Sequence, residues 1–416
     1  AAFTLGVALL TMQGCATSSA PAVAYVSNAD SRDITVLKLD RDKGSVQTMQ
    51  TVDTGGTVMP LALSPDKRFL YAALRSEPFG IATFAIDAKT GALTRAGTAP
   101  LPDSMANIMT DRTGRWLFAA SYPGHKISVS PIGADGLPGA PVAVLPTGKN
   151  AHAAIIDSSN RYLFVTNLGS DQVLQYRFDA AGGQLTPNDP PAFKTRAGAG
   201  PRHLVIHPDG KHAYLLYELD ATVDLLAFDA QRGTLSLVKT WSTLPAGSTV
   251  KPWAADLHLT PDGKFLYTSE RNSNTLAIWK VDAATGELSL VGHQPTEKQP
   301  RGFQIDSTGT WLLAVGQTSH QMTAYKIDPG TERAKRKIDP GSRPLRESSH
   351  RPDVETNASP PQADCTNEAG ELLVPLSDDN DLHLIHAYLD GELDVMAALA
   401  VERKIAADPD LRNLAD

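Results

Sequence analysis

Thr260-Pro-Asp-Gly-Lys-Phe-Leu-Tyr267 is a tight polar turn that runs straight into an alternating strand, the mark of a β-hairpin. Five more segments repeat it: Ser64-Pro-Asp-Lys-Arg-Phe-Leu-Tyr71, Asp111-Arg-Thr-Gly-Arg-Trp-Leu-Phe118, Asp157-Ser-Ser-Asn-Arg-Tyr-Leu-Phe164, His207-Pro-Asp-Gly-Lys-His-Ala-Tyr214 and Asp306-Ser-Thr-Gly-Thr-Trp-Leu-Leu313. Ala24-Tyr25-Val26 supplies a seventh copy of the strand. The aligned positions are 25, 71, 118, 164, 214, 267 and 313, a period of 46 to 53 residues. Each period also holds a second alternating strand that ends near an Asp and turns at a Gly, as in Ile81 to Asp87 with Gly91 and Leu276 to Asp282 with Gly286. About four strands per period of this length predict an all-β, seven-bladed β-propeller.

Composition agrees. Of 416 residues, 42% are hydrophobic, enough for a core, and 32 Gly with 29 Pro suit many short strands. A net charge of −8 lacks the basic footprint of a nucleic-acid binder. The two cysteines, Cys15 and Cys365, exclude a disulfide scaffold. No metal site and no cofactor are expected, since His383 and His386 stand far from Cys365.

The pattern divides the chain into four parts. Residues 1–22 read as a signal segment, in which Met12-Gln-Gly-Cys15 resembles a lipobox; Cys15 would carry lipid and tether the chain to a membrane in the periplasm, the alternative being a cytoplasmic protein. Residues 23–328 hold the propeller. Residues 329–380, rich in Pro, Ser and charge, read as a disordered linker. Residues 381–416 read as a short helical segment. Because Tyr25 enters on the second strand of its blade, the missing inner strand has to come from beyond Asp328, where the sequence is too charged for a buried strand.

The repeat also locates a functional face. The first strand of a blade starts on one face of the disc and the second returns to it. Five residues before each turn stand Met59, Ala106, His152, Arg202, Ala255 and Arg301; four after each aligned aromatic stand Arg75, Tyr122, Leu168, Glu218, Arg271 and Gln317. The two sets are offset by 16 residues in each blade and form two rings around one mouth of the channel. His203 and Asp256 lie one residue further along their strands. Four arginines with a His and a Glu in an acidic chain read as an anion pocket with an acid–base group. The bland alternative is a solvated rim whose charges pair with one another.

The motifs Ala197-Gly-Ala-Gly-Pro-Arg202-His203, Tyr217-Glu218-Leu-Asp, Trp253-Ala-Ala-Asp256-Leu-His258 and Pro300-Arg301-Gly-Phe, with Gly316-Gln317-Thr-Ser-His320, resemble those of the seven-bladed β-propeller lactonase family. The similarity runs from about Ala24 to Asp328. It implies a lactonase acting on a small anionic sugar lactone such as 6-phospho-D-glucono-1,5-lactone. By the same likeness His152, Arg202, Glu218 and Arg271 fall on catalytic positions, with Arg75, His203, Asp256, Arg301 and Gln317 as substrate-binding candidates. His152 or Glu218 could serve as base. The rival readings are a lactonizing cycloisomerase of the muconate type and a non-catalytic binding platform. The stretch His386-Ala-Tyr-Leu-Asp-Gly-Glu-Leu-Asp394 resembles the start of an anti-sigma factor, which implies contact with a sigma factor.

Overall fold

A computed structural model describes residues 22–327 and 334–337. The lipobox-like segment at Cys15, the remainder of residues 329–380, and residues 381–416 lie outside the described residues. The described chain forms seven antiparallel sheets, each a blade of a ring. Blade 5 shows the order: Pro201–Ile206, His212–Tyr217, Thr222–Asp229 and Thr234–Ser242, from the channel outwards. The inner strands of the other four-stranded blades are Val58–Leu63, Asn107–Thr110, Ala151–Ile156, Ala254–Leu259 and Gly302–Ile305. Buried faces of neighbouring blades interdigitate, as where Leu216, Val223 and Leu225 of blade 5 meet Leu257, Leu266 and Trp279 of blade 6.

The aligned aromatics latch one blade to the next. The hydroxyls of Tyr25, Tyr71 and Tyr214 donate to the carbonyls of Gly91, Gly136 and Gly286, at 2.9, 3.0 and 2.8 Å. The receiving turn needs glycine: Gly136 sits at φ +78°, and a Cβ there would lie 2.1 Å from the Phe69 ring. Tyr71→Phe keeps the buried ring and deletes only the hydrogen bond, so it should cost about 1 kcal/mol. A urea-unfolding midpoint reads this; an unchanged midpoint would show that the latch contributes nothing.

Blade 1 has three strands, Ala22–Asn28, Asp33–Leu39 and Val46–Asp53. Its Ala22–Asn28 strand is half-buried along its whole length, whereas its counterpart in blade 4, Tyr162–Asn167, is buried throughout. Among the described residues no inner strand covers it. The strand beyond residue 328, Ala334–Lys337, does not fill that place. It pairs with Ala324–Ile327 as the outermost strand of blade 7. The propeller therefore continues past residue 328, and this stretch is not linker.

Side chains join blade 7 to blade 1. Trp311 packs with Leu39 and against Gly44, and its indole N–H donates to the Arg41 carbonyl at 3.0 Å. Arg41 Nε meets Asp306 Oδ2 at 2.7 Å.

Candidate active site

The inner strands of blades 2, 4, 5 and 6 each carry a register irregularity near the mouth. In blade 5, Pro201 faces Tyr217 and His203 faces Leu216, so Arg202 is an extra residue. In blade 4 the same shift leaves His152 as the extra residue between Ala151 and Ala153. A bulge of this kind turns a side chain that pleating would send elsewhere. Between Ala254 and Leu257 blade 6 carries a comparable shift, which includes Asp256.

The bulges assemble a buried ionic cluster. Glu218, at the end of the second strand of blade 5, accepts from Arg202 Nε at 2.8 Å and lies 3.1 Å from Arg271 Nη2. All three side chains are buried. Arg271 also donates to the carbonyls of Trp253, at 3.2 Å, and Ala254, at 3.0 Å, and its guanidinium lies 4.0 Å from the centre of the Trp253 ring. Arg202 Nη1 donates to the Ala255 carbonyl and reaches His203 Nε2 at 3.3 Å. The Arg202 carbonyl is itself pinned by the Thr166 hydroxyl of blade 4, at 2.7 Å. Burial, then Arg202 and Arg301 nearby, pushes Arg271 below its ordinary value to about 9, against the pull of Glu218. It remains a cation at neutral pH.

A second group sits beside the first. His203 Nδ1 meets Asp256 Oδ1 at 2.8 Å, and His258 Nε2 meets Asp256 Oδ2 at 3.1 Å. The Leu257 N–H donates to the same carboxylate at 3.0 Å. Burial works to raise Asp256, but His258 and the hydrogen bonds from both histidines carry it well below the usual carboxylate value. Burial and the Arg202 charge push His203 down. In His258 burial is outweighed by the facing Asp256, and the value rises. The side chain of His203 is 23% exposed, whereas His152 is 1% exposed with its ring centre 5.0 Å away. Tyr122 stands edge-on behind His152 at 6.1 Å.

Of the residues singled out in the sequence, His152, Arg202, His203, Glu218, Asp256 and Arg271 come together here. Arg301 lies close enough to act on Arg271 and is partly exposed. Arg75 is held within its own side of the mouth, by Ser104 Oγ at 2.9 Å and Met59 Sδ at 3.1 Å. Gln317 is exposed, and its main-chain N–H binds the Gln299 carbonyl at 2.9 Å. His258 was not among the candidates. Its signal was present: two residues after Asp256 on one strand, it shares that residue's face.

A family model described as "Lactonase, 7-bladed beta-propeller" matches residues 20–340. The chain is 43% identical over 309 residues to a 6-phosphogluconolactonase of Pectobacterium carotovorum, covering 74% of this chain and 92% of that protein. A 6-phosphogluconolactonase of Serratia proteamaculans is also 43% identical, over 306 residues, covering 74% and 91%. Among solved structures, a periplasmic gluconolactonase of Pseudomonas aeruginosa superposes with a TM-score of 0.69 at 28% identity, covering 76% of this chain and 94% of the other.

Proposed function

The chain belongs to the seven-bladed β-propeller lactonase family, and from that premise we propose that its mouth hydrolyses 6-phospho-D-glucono-1,5-lactone to 6-phosphogluconate. It is a carboxylic ester hydrolase whose substrate is a sugar lactone. The observation that carries the residue roles is the Arg202–Glu218–Arg271 cluster beside a histidine held by Asp256. A δ-lactone is an activated ester, so a modest set of groups suffices.

The base is His203. Nδ1 carries the proton and donates it to Asp256; the Nε2 lone pair, which faces Arg202 Nη1 at 3.3 Å, is released to water when that N–H turns to the lactone carbonyl oxygen. The water oxygen bonds to the lactone carbonyl carbon while its proton passes to Nε2. The carbonyl oxygen takes the negative charge, and Arg202 stabilises it. On collapse the bond from that carbon to the ring oxygen breaks, and the ring oxygen takes the proton back from the imidazolium. Glu218 is a poor base, because its carboxylate already serves two guanidiniums. Its role and that of Arg271 is to hold Arg202 in place. Arg301, partly open to the mouth, is the anchor for the anionic end of the substrate.

The test compares His203→Ala with His152→Ala across pH. The parent kcat/KM should fall on the acid side with a midpoint below about 6.5, the ordinary imidazole value, because the depressed His203 stays neutral until then. His203→Ala should abolish that limb and most of the turnover. If His152→Ala does so and His203→Ala does not, the base is His152.

The localisation proposed is the periplasm, with Cys15 as lipid anchor. Met12-Gln-Gly-Cys15 supports this, as does the likeness to a gluconolactonase described as periplasmic. Cys15→Ser should move the full-length protein from the membrane to the soluble fraction. Equal membrane recovery of both forms would refute the anchor.

A further inference from the structure

We propose that the turn His207–His212, on the face of the disc opposite the mouth, is a binding site for a zinc-class divalent metal ion, with His207, Asp209 and His212 as ligands. One ligand atom from each lies within 4.8 Å of the other two. His212 Nδ1 is 2.6 Å from Asp209 Oδ2, and His207 Nδ1 is 3.1 Å from the same oxygen.

The six equivalent turns show how this one differs. In the other five the first position is Ser64, Asp111, Asp157, Thr260 or Asp306, and its side-chain oxygen accepts the N–H of the sixth residue. That sixth residue is Phe69, Trp116, Tyr162, Phe265 or Trp311. Only in blade 5 do both positions depart from the pattern, and both become histidine. The bond to the sixth residue is made here by Asp209, whose Oδ1 accepts the His212 N–H at 3.1 Å, while His207 Nδ1 accepts the Asp209 N–H at 3.2 Å.

The arrangement around His207 favours a cation. Its Nε2 meets the Gly263 carbonyl of the next blade at 2.9 Å, and a carbonyl can only accept, so Nε2 carries the proton. In the neutral ring Nδ1 then presents a lone pair, which accepts the Asp209 N–H at 3.2 Å with Asp209 Oδ2 only 3.1 Å away, so a cation there would meet the nitrogen and the carboxylate together. An Nε2–H bonded to a main-chain carbonyl is also the usual outer support of a metal-bound histidine. Tetrahedral zinc separates neighbouring N and O ligands by about 3.3 Å, so the contacts of Asp209 Oδ2 with His207, at 3.1 Å, and His212, at 2.6 Å, both need to open, by well under 1 Å. Binding replaces two hydrogen bonds, from the Asp209 N–H to His207 Nδ1 at 3.2 Å and from His212 to Asp209. The side chains are 11%, 24% and 16% exposed for His207, Asp209 and His212, leaving the fourth position to water. Two imidazoles and one carboxylate select zinc or a similar ion over calcium or magnesium.

The test uses the full chain, dialysed against a chelator and titrated with zinc chloride by calorimetry, beside the H207T/H212F double variant. That variant recreates the turn Thr260-Pro-Asp-Gly-Lys-Phe265 and keeps an aromatic ring against Gly286, where His212 packs. The parent should bind one more zinc ion per chain than the variant, and zinc should raise the Tm of the parent only. Lactone turnover should match in both, because Arg202 lies five strand residues, about 17 Å, from His207. Calcium should produce neither effect. If parent and variant bind equal numbers of zinc ions, or zinc leaves the parent Tm unchanged, the three side chains only hydrogen-bond within the turn and the site is not a metal site.

Discussion

Arg202→Ala should lower kcat/KM for lactone hydrolysis by a hundredfold or more while leaving the protein folded. Removing a donor aimed at a developing oxyanion costs about 3 kcal/mol of transition-state stabilisation. The fold should survive because the deletion leaves no buried carboxylate alone: Glu218 keeps Arg271 at 3.1 Å. Arg202→Lys should recover little, since one ammonium cannot reach Glu218, the Ala255 carbonyl and His203 together as the guanidinium does. Initial rates with the phosphorylated lactone, with a urea-unfolding curve on the same preparation, separate the two effects. A tenfold loss or less would mean that Arg202 is scaffold.

Glu218→Gln should act in the reverse order, on stability first. The substitution preserves shape and removes the single negative charge between two guanidiniums, both buried. Breaking a buried charge network from one side leaves the partners uncompensated and costs about 3–5 kcal/mol. Turnover should fall as well, because the charge-assisted bond that orients Arg202 Nε becomes a weaker one to a neutral amide oxygen. The unfolding midpoint checks this, and a shift within error would show that water or the main chain already neutralises the cluster.

Much of this arrangement can be read from the chain. Turns such as Thr260–Phe265 recur because a hairpin has strict local requirements, so blade number and the facing of strand ends follow from spacing alone. The offset of 16 residues put Arg202 opposite Glu218, and the two side chains meet at 2.8 Å. What spacing does not carry is the two-to-one count of a bulge. Strict alternation would send Arg202 and His203 to opposite faces, yet the shift at Pro201 lets the first bind Glu218 and the second bind Asp256. Charge is hard to place from the string alone: the second guanidinium on Glu218 arrives from the next blade, 53 residues on. The charged stretch after residue 328 looked like linker, because an edge strand needs backbone partners on one side only and tolerates such residues.

The central claim is that this mouth is a catalytic lactonase site that recognises an anionic sugar lactone, and one comparison addresses it directly. Acid release is followed by pH-stat for 6-phospho-D-glucono-1,5-lactone and for the unphosphorylated lactone, each corrected for spontaneous opening. The account predicts enzyme-dependent hydrolysis of both, with kcat/KM at least tenfold higher for the phosphorylated substrate, a difference that Arg301→Ala should erase. Hydrolysis no faster than the spontaneous reaction with either lactone, from protein whose unfolding curve shows it is folded, would contradict the account and leave the ring of charges as a binding rim.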